Sequence, residues 1–232
     1  MENLNEQDVM QDESNFLEAK LQRRSFLQYA GAGAAVVALT AAGCKKDRVT
    51  PMSGVTLDFK DDFGVLNYAY ALEQLEAAFY IQVASAPPSS FSAAEKAYFQ
   101  DIQFHEIAHR EFFKNALGTA AIGSLAVDFS SINFTDRTSV LGAAMAFEDL
   151  GVGAYNGAGV RLKSTTYLLA AGKIVSVEAR HAAYIRDLIS NGTFATAPQV
   201  NASTGLDMAL TPDAVLAAAG KYIKTKINVI NL

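Results

Sequence analysis

Two short motifs recur in this chain and constrain its fold more than any other feature. Glu106 and His109 form one Glu-x-x-His motif, and Glu178 and His181 form another, in a sequence with only three histidines. Residues three apart lie on one face of an α-helix, so each motif presents a carboxylate and an imidazole to the same point. Given the glutamate content of the chain, chance would produce two such pairs in under about 1% of cases. The motifs therefore predict two helices that each carry half of a metal site.

Each of these motifs is preceded by a second pattern, in which a tyrosine follows a glutamate by seven residues. Glu73 and Tyr80 form the first copy, and Glu148 and Tyr155 form the second. Seven residues are about two helical turns, so the glutamate and the tyrosine share nearly one face. The two patterns stand at similar distances before their motifs, 33 and 30 residues from glutamate to glutamate. The chain therefore contains two copies of one two-helix unit, which predicts a symmetric centre with four carboxylates and two imidazoles.

Apolar residues at helical spacing predict an all-α body with four long helices and a short fifth one. The expected helices span about residues 61–84, 92–117, 135–163, 166–190 and 211–227. Residues 118–134 lack a clear period and form a long connection, whereas the first and third links are short. Short links make neighbouring helices antiparallel, and a long middle link crosses the length of the bundle. No strand is predicted, and residues 191–232 are expected to hold a loop and the short helix.

The first 44 residues have the features of an export signal. Arg23 and Arg24 precede a mildly apolar stretch that ends in small residues before Cys44. This stretch is shorter than the about 20 residues that span a bilayer, which disfavours the alternative of a transmembrane anchor. The segment resembles a twin-arginine signal peptide that ends in a bacterial lipobox. We therefore expect export, cleavage before Cys44, a lipid anchor on that residue, a tether over residues 45–60, and a location in the periplasm or cell envelope.

Composition excludes several other classes of protein. Half of the residues are hydrophobic and 19% are charged, which is incompatible with a disordered chain. The formal net charge of -5 argues against a nucleic-acid-binding protein, which would carry a basic excess. A single cysteine excludes a disulfide framework and a cysteine-based zinc site within one chain.

Over about residues 61–190, the duplicated pattern resembles the exported ferritin-like domain family of bacteria. The resemblance implies a four-helix bundle with a long crossover between the second and third helices, and a centre of two iron or manganese ions. Glu106 and Glu148, or their symmetric partners, would bridge or chelate the ions, and each histidine would bind one. The implied ligands are Glu73, Glu106, His109, Glu148, Glu178 and His181.

The expected ligand types narrow the metal and the function. Carboxylates with imidazole suit iron and manganese, whereas zinc and copper sites more often use additional histidine or cysteine. The first hypothesis is an oxidoreductase that reacts with peroxide or dioxygen. The second is a non-catalytic metal-binding or stress-protective protein, and the third is a metal-free helical interaction module. A homo-oligomer is compatible with each of them.

Four side chains near the expected centre leave alternatives open. Tyr80 and Tyr155 are either core aromatics or catalytic residues that hydrogen-bond a ligand or donate an electron. Glu76 lies one helical turn after Glu73, but its counterpart in the second copy is a glycine, so the repeat favours Glu73 as the ligand. His105 faces about 100° away from the neighbouring glutamate, which predicts a surface residue or a residue behind the ligands.

Overall fold

The computed structural model describes residues 54–232, and four long helices dominate this part of the chain. The first pairs with the second and the third with the fourth, while the first also packs against the third. The predicted fold class, an all-α bundle of the ferritin-like type with a long second connection, is confirmed. The helices are α1 (Asp62–Ser85), α2 (Ala93–Leu117), α3 (Arg137–Gly159), α4 (Thr165–Ile189) and a short α5 (Pro212–Ala219).

Side-chain caps define where these helices begin. Ser92 and Glu95 form the expected capping box: the Ser92 hydroxyl accepts a hydrogen bond from the Glu95 amide, and the Glu95 carboxylate accepts one from the Ser92 amide. Asp61, Asp136 and Thr211 cap α1, α3 and α5 in the same way with their side-chain oxygens. Such caps satisfy amides that have no partner inside the helix, and each contributes about 1 kcal/mol.

Two amide side chains on α1 hold the long connection against the bundle. The Asn67 side chain donates to the carbonyl of Ala120 at 2.9 Å and accepts from the amide of Ile122 at 2.8 Å. The Gln74 side chain accepts from the amide of Leu125 at 2.9 Å. Residues 120–125 therefore lie against α1 and satisfy several of their backbone groups on it.

The expectation of no strand is wrong. Strands β1 (Val55–Asp58) and β2 (Ile227–Ile230) pair in parallel, with Val55 opposite Ile227. The tether expected over residues 45–60 therefore does not extend to residue 60, since Leu57 and Phe59 are buried in the core. The fifth helix also ends at Ala219 rather than near residue 227. Each strand has four residues, the lower end of the length at which alternation predicts a strand.

The apolar core forms two clusters, and each contains one of the two repeated tyrosines. The larger cluster includes Tyr80 and a group of phenylalanines centred on Phe79 and Phe147, whose rings lie 5.0 Å apart. The smaller cluster includes Tyr155, Phe113 and Leu66. The repeated tyrosines therefore have different surroundings, although their sequence patterns are the same.

Within residues 54–232, no helix has the length and apolar character needed to cross a membrane. The expected signal peptide, with Arg23, Arg24 and Cys44, lies outside the described residues. Its export and lipid-anchor functions therefore remain predictions from the sequence.

Candidate metal centre

Each of the four long helices contributes a fully buried glutamate to the interior of the bundle. Glu73 on α1, Glu106 on α2, Glu148 on α3 and Glu178 on α4 are all 0% exposed. Ionised carboxylates are costly to bury unless opposite charges or bound cations compensate them. Four of them in one interior therefore demand a neutralising partner.

The two histidines approach these carboxylates across the bundle as well as along their own helices. The Nδ1 atom of His109 lies 3.6 Å from Glu106 on the same helix but 2.7 Å from Glu178 on α4. The Nδ1 atom of His181 lies 3.6 Å from Glu178 on its own helix but 3.0 Å from Glu106 on α2. Each imidazole therefore connects the two Glu-x-x-His motifs.

The ligand atoms fall into two overlapping groups, within each of which all atoms lie within 4.8 Å of one another. The two groups share Glu106 and Glu178. Glu148 and its symmetric partner Glu73 each belong to one group only, so of the expected bridging or chelating carboxylates only Glu106 and its symmetric partner Glu178 belong to both groups. The first group is Glu73, Glu106, His109 and Glu178, and the second is Glu106, Glu148, Glu178 and His181.

The donor atoms of these six side chains fit a pair of divalent cations. Apart from their short contacts with one another, many of these atoms have no hydrogen-bond partner in the described part of the chain. These buried atoms are Glu73 Oε2, Glu148 Oε2, His109 Nδ1, His181 Nδ1 and both carboxylate oxygens of Glu106 and Glu178. Buried polar atoms without a partner are rare in folded proteins. Here they face a common space, and the charge of four carboxylates balances that of two divalent ions.

Burial and mutual repulsion alter the proton affinity of the carboxylates. Burial, together with the neighbouring Glu178 and Glu106, raises the pKa of Glu73 to about 8. Burial also raises the pKa of Glu148 well above its usual range. Burial alone would do the same to Glu178, but His109 and His181 beside it lower its pKa to about 2.

The histidines respond in the opposite direction. Burial alone would lower the pKa of His181, but the carboxylates of Glu148, Glu106 and Glu178 outweigh it and raise the pKa to about 12. The pKa of His109 is raised for the same reason. Without metal, protons therefore neutralise the cluster. A metal ion must displace these protons, because coordination needs deprotonated ligands.

The two repeated tyrosines contact the cluster directly. The Tyr80 hydroxyl donates a hydrogen bond to Glu148 Oε1 at 2.5 Å. The Tyr155 hydroxyl donates to Glu73 Oε1. Each tyrosine thus comes from one copy of the repeat and holds a glutamate of the other copy. Burial, followed by the nearby carboxylates, raises the pKa of both phenols, which keeps them protonated as donors.

A further carboxyl, that of Glu76, also lies in the interior, although the repeat pattern excluded it from the expected ligands. Glu76 is 3% exposed, and burial raises its pKa well above the usual range. A Cβ atom at Gly151 would stand 2.9 Å from Glu76 Oε1, so the absence of a side chain at Gly151 makes room for the carboxyl. Glu76 belongs to neither of the two ligand groups. In the sequence, the only sign of this contact was that Glu76 in the first repeat corresponds to Gly151 in the second.

His105 lies behind one of the expected ligands. Its Nδ1 atom is 2.9 Å from Nε2 of His181, and the two rings meet edge to edge in nearly one plane, with centroids 5.2 Å apart and an interplanar angle of 6°. His181 therefore faces the carboxylates with one nitrogen and His105 with the other. A partner on the second nitrogen fixes the orientation and tautomer of a ligand histidine. The helical spacing predicted either a surface residue or a residue behind the ligands, and the contact with His181 depends on how α2 and α4 pack.

A bundle of four helices with carboxylates from every helix and a Glu-x-x-His motif on two of them defines the class of ferritin-like helical bundles, whose centre is built to hold metal. The family model described as ferritin-like domain matches residues 61–191, more than half of the chain. The chain belongs to the ferritin-like domain family, as the sequence predicted. A search of curated proteins finds no match to the chain.

Proposed function

We propose that this protein binds two iron or manganese ions at its centre and reacts there with hydrogen peroxide or dioxygen. The observation that carries the proposal is the overlap of the two ligand groups in Glu106 and Glu178. Two carboxylates shared between neighbouring groups could serve two cations at once, as a two-metal site requires. A single-ion site would not need both groups.

Each ion would have its own ligands besides the shared pair. Glu73 and His109 would serve the first ion, and Glu148 and His181 the second. Two ferrous or manganous ions would supply one electron each, which with two protons reduces one hydrogen peroxide molecule to two water molecules. Oxygen and nitrogen donors of this kind suit iron and manganese.

The remaining side chains would position the ligands. Tyr80 and Tyr155 donate hydrogen bonds that fix Glu148 and Glu73, and His105 orients His181. We propose that the two tyrosines also act in catalysis, as proton or electron donors to the reacting oxidant. Replacing either with phenylalanine should leave two ions bound but slow peroxide turnover. Unchanged turnover in both variants would make them structural residues only.

Metal analysis and oxidation assays test the central proposal. Protein loaded with ferrous or manganous ions should contain two ions per chain, by elemental analysis, and consume peroxide faster than the free ions. Glu106→Gln should lose both properties. Glu111→Gln is the matched control, because Glu111 is on the same helix but pairs with Arg110 at the surface.

Three outcomes separate the competing functions. Two bound ions with no acceleration over free metal would leave a non-catalytic metal-binding protein. No stable metal binding at all would favour the helical interaction module. Two ions with acceleration that is lost in Glu106→Gln would establish the oxidoreductase.

We also propose that the protein is exported through the twin-arginine route and attached to a membrane by a lipid on Cys44. The support is the sequence of the first 44 residues. Replacing Arg23 and Arg24 with lysine should leave uncleaved precursor in the cytoplasm, and Cys44→Ser should abolish labelling by a radioactive fatty acid. Full-length protein in the cell envelope with an unmodified Cys44 would contradict the lipid anchor.

A further inference from the structure

An apolar cavity lies beside one of the two tyrosines that hold the ligand carboxylates. Its volume is about 30 Å³, and it is partly open towards the surface. Among the described residues, no polar atom contributes to its wall. The residues that matter here are Leu72, Phe113, Ala154, Tyr155, Ala158 and Ala171.

The sequence repeat explains why the cavity exists on one side only. Near Tyr80, the space is filled by the rings of Phe79 and Phe99, with centroids 5.0 and 5.7 Å from that of Tyr80. The first helices of the two copies are offset by 75 residues and the second helices by 72, from glutamate to glutamate. The equivalents of Phe79 and Phe99 are therefore Ala154 and Ala171, and both line the cavity. Two phenylalanines in one half are replaced by two alanines in the other.

Tyr155 separates this cavity from the candidate metal centre. Its ring forms part of the cavity wall, while its hydroxyl donates a hydrogen bond to Glu73. Only one side chain therefore stands between a molecule in the cavity and a ligand carboxylate. On the opposite side of the centre, Tyr80 is backed by packed aromatic rings.

We propose that this cavity binds dioxygen and is the approach by which dioxygen reaches the centre, with Tyr155 as the barrier between the two. The inference rests on the proposed function, in which dioxygen is one of the oxidants. In addition, we infer that dioxygen arrives from the Tyr155 side of the candidate centre.

Size and polarity favour dioxygen over water or peroxide. One water-sized molecule needs about 10–15 Å³ of cavity volume. The cavity therefore has room for about two water-sized spheres, which is the size of a diatomic gas molecule. Its carbon-lined wall offers no hydrogen bond, and a polar molecule would lose several on leaving water. Apolar cavities of this kind stay dry and bind small apolar molecules. Peroxide must therefore reach the centre by a different route.

Xenon is the probe that tests occupancy without any reaction. Crystals of the full-length protein under xenon pressure should show one xenon atom between Ala171 and Tyr155. Ala171→Phe restores the ring that the first half carries and should abolish the xenon site. Ala171→Leu serves if the larger residue prevents folding. Phe99→Ala should create a second xenon site beside Tyr80, since it removes the ring that fills that space.

Oxidation kinetics test whether the cavity carries dioxygen. Ala171→Leu should slow ferrous oxidation by dioxygen several-fold and leave oxidation by hydrogen peroxide at the wild-type rate. Ala97→Leu is the control, because Ala97 is exposed on α2 and the substitution is the same. Both rates should stay unchanged in that variant.

Each alternative outcome identifies what has failed. Absence of xenon from the wild-type cavity, or ordered water in its place, would overturn the inference. The inference would also be overturned if Ala171→Leu lost xenon binding but still reacted with dioxygen at the wild-type rate. If either protein still reacted with peroxide, the proposed function would remain intact. Two-ion protein that reacts with neither oxidant would overturn the proposed function itself, whatever xenon does.

Discussion

The two halves of the bundle carry the same ligands in different surroundings. Helices α1 and α2 supply Glu73, Tyr80, Glu106 and His109, and helices α3 and α4 supply Glu148, Tyr155, Glu178 and His181. Each half contributes the same groups in the same order, and each tyrosine binds a glutamate of the other half. The candidate ligand set therefore has the symmetry of the repeat, whereas the protein around it does not.

Three differences break the symmetry. Glu76 in the first half corresponds to Gly151 in the second, and its carboxyl occupies the space that the glycine leaves. His105 contacts His181, but the equivalent position in the second half is Val177, which offers no hydrogen bond to His109. Together with the one-sided cavity, these differences give the two candidate ligand groups chemically different surroundings, although the groups contain the same residue types.

The largest expected effect comes from the shared glutamates. Glu178→Gln and Glu106→Gln each remove a carboxylate that belongs to both ligand groups. Each variant should therefore bind fewer than one ion per chain and lose ferrous oxidation. Elemental analysis of both, side by side, checks this. A variant that retains one tightly bound ion would show that its glutamate serves only one position.

The unshared glutamates should have about half of that effect. Glu73→Ala and Glu148→Ala each disturb one group, so each should retain one ion per chain and lose two-electron oxidation. His181→Ala should resemble Glu148→Ala, because both belong to the second group. Since the surroundings differ, the ion that remains should bind with a different affinity in the two glutamate variants. Equal affinities, measured by calorimetric titration, would contradict the inequality of the two positions.

The metal-free protein should lose stability as the pH rises. The pKa of Glu73 in the folded chain is about 8, above the usual value of 4.5, so its bound proton stabilises the fold less and less between these values. His181, with a folded pKa of about 12 against a usual 6.5, acts in the same direction at higher pH. The melting temperature of chelator-treated protein should therefore fall from about pH 5 to about pH 8.

Metal should reverse this trend. Bound cations replace the lost protons as the neutralising charge, so the gain in melting temperature on adding metal should be larger at about pH 8 than at about pH 5. Glu148→Gln should weaken the pH dependence of the metal-free protein, because an amide needs no proton to be neutral. A melting temperature that rises with pH in the absence of metal would contradict the proton-neutralised cluster.

The sequence predicted the bundle, and it predicted that the glutamate and histidine of each Glu-x-x-His motif share a face, because a three-residue spacing on a helix is a local property. It could not predict that His109 and His181 lie nearest to the glutamate of the other motif, at 2.7 and 3.0 Å. Those distances depend on how α2 and α4 pack. The β1–β2 pair escaped prediction for a related reason, since its four-residue strands stand at opposite ends of the described chain.

The smallest expected effect concerns the residue that the repeat excluded. Glu76 belongs to neither ligand group, so Glu76→Gln should retain two ions per chain, and its neutral amide should resemble the protonated carboxyl. Gly151→Ala places a methyl group 2.9 Å from Glu76 Oε1 and should destabilise the fold by about 1–3 kcal/mol through overpacking. The same change in a Glu76→Ala background should cost much less, because the space is then empty. Such coupling, measured by denaturant unfolding, would assign Glu76 to packing against Gly151. Loss of an ion from Glu76→Gln would instead make Glu76 a ligand and the first half of the site richer in carboxylates than the second.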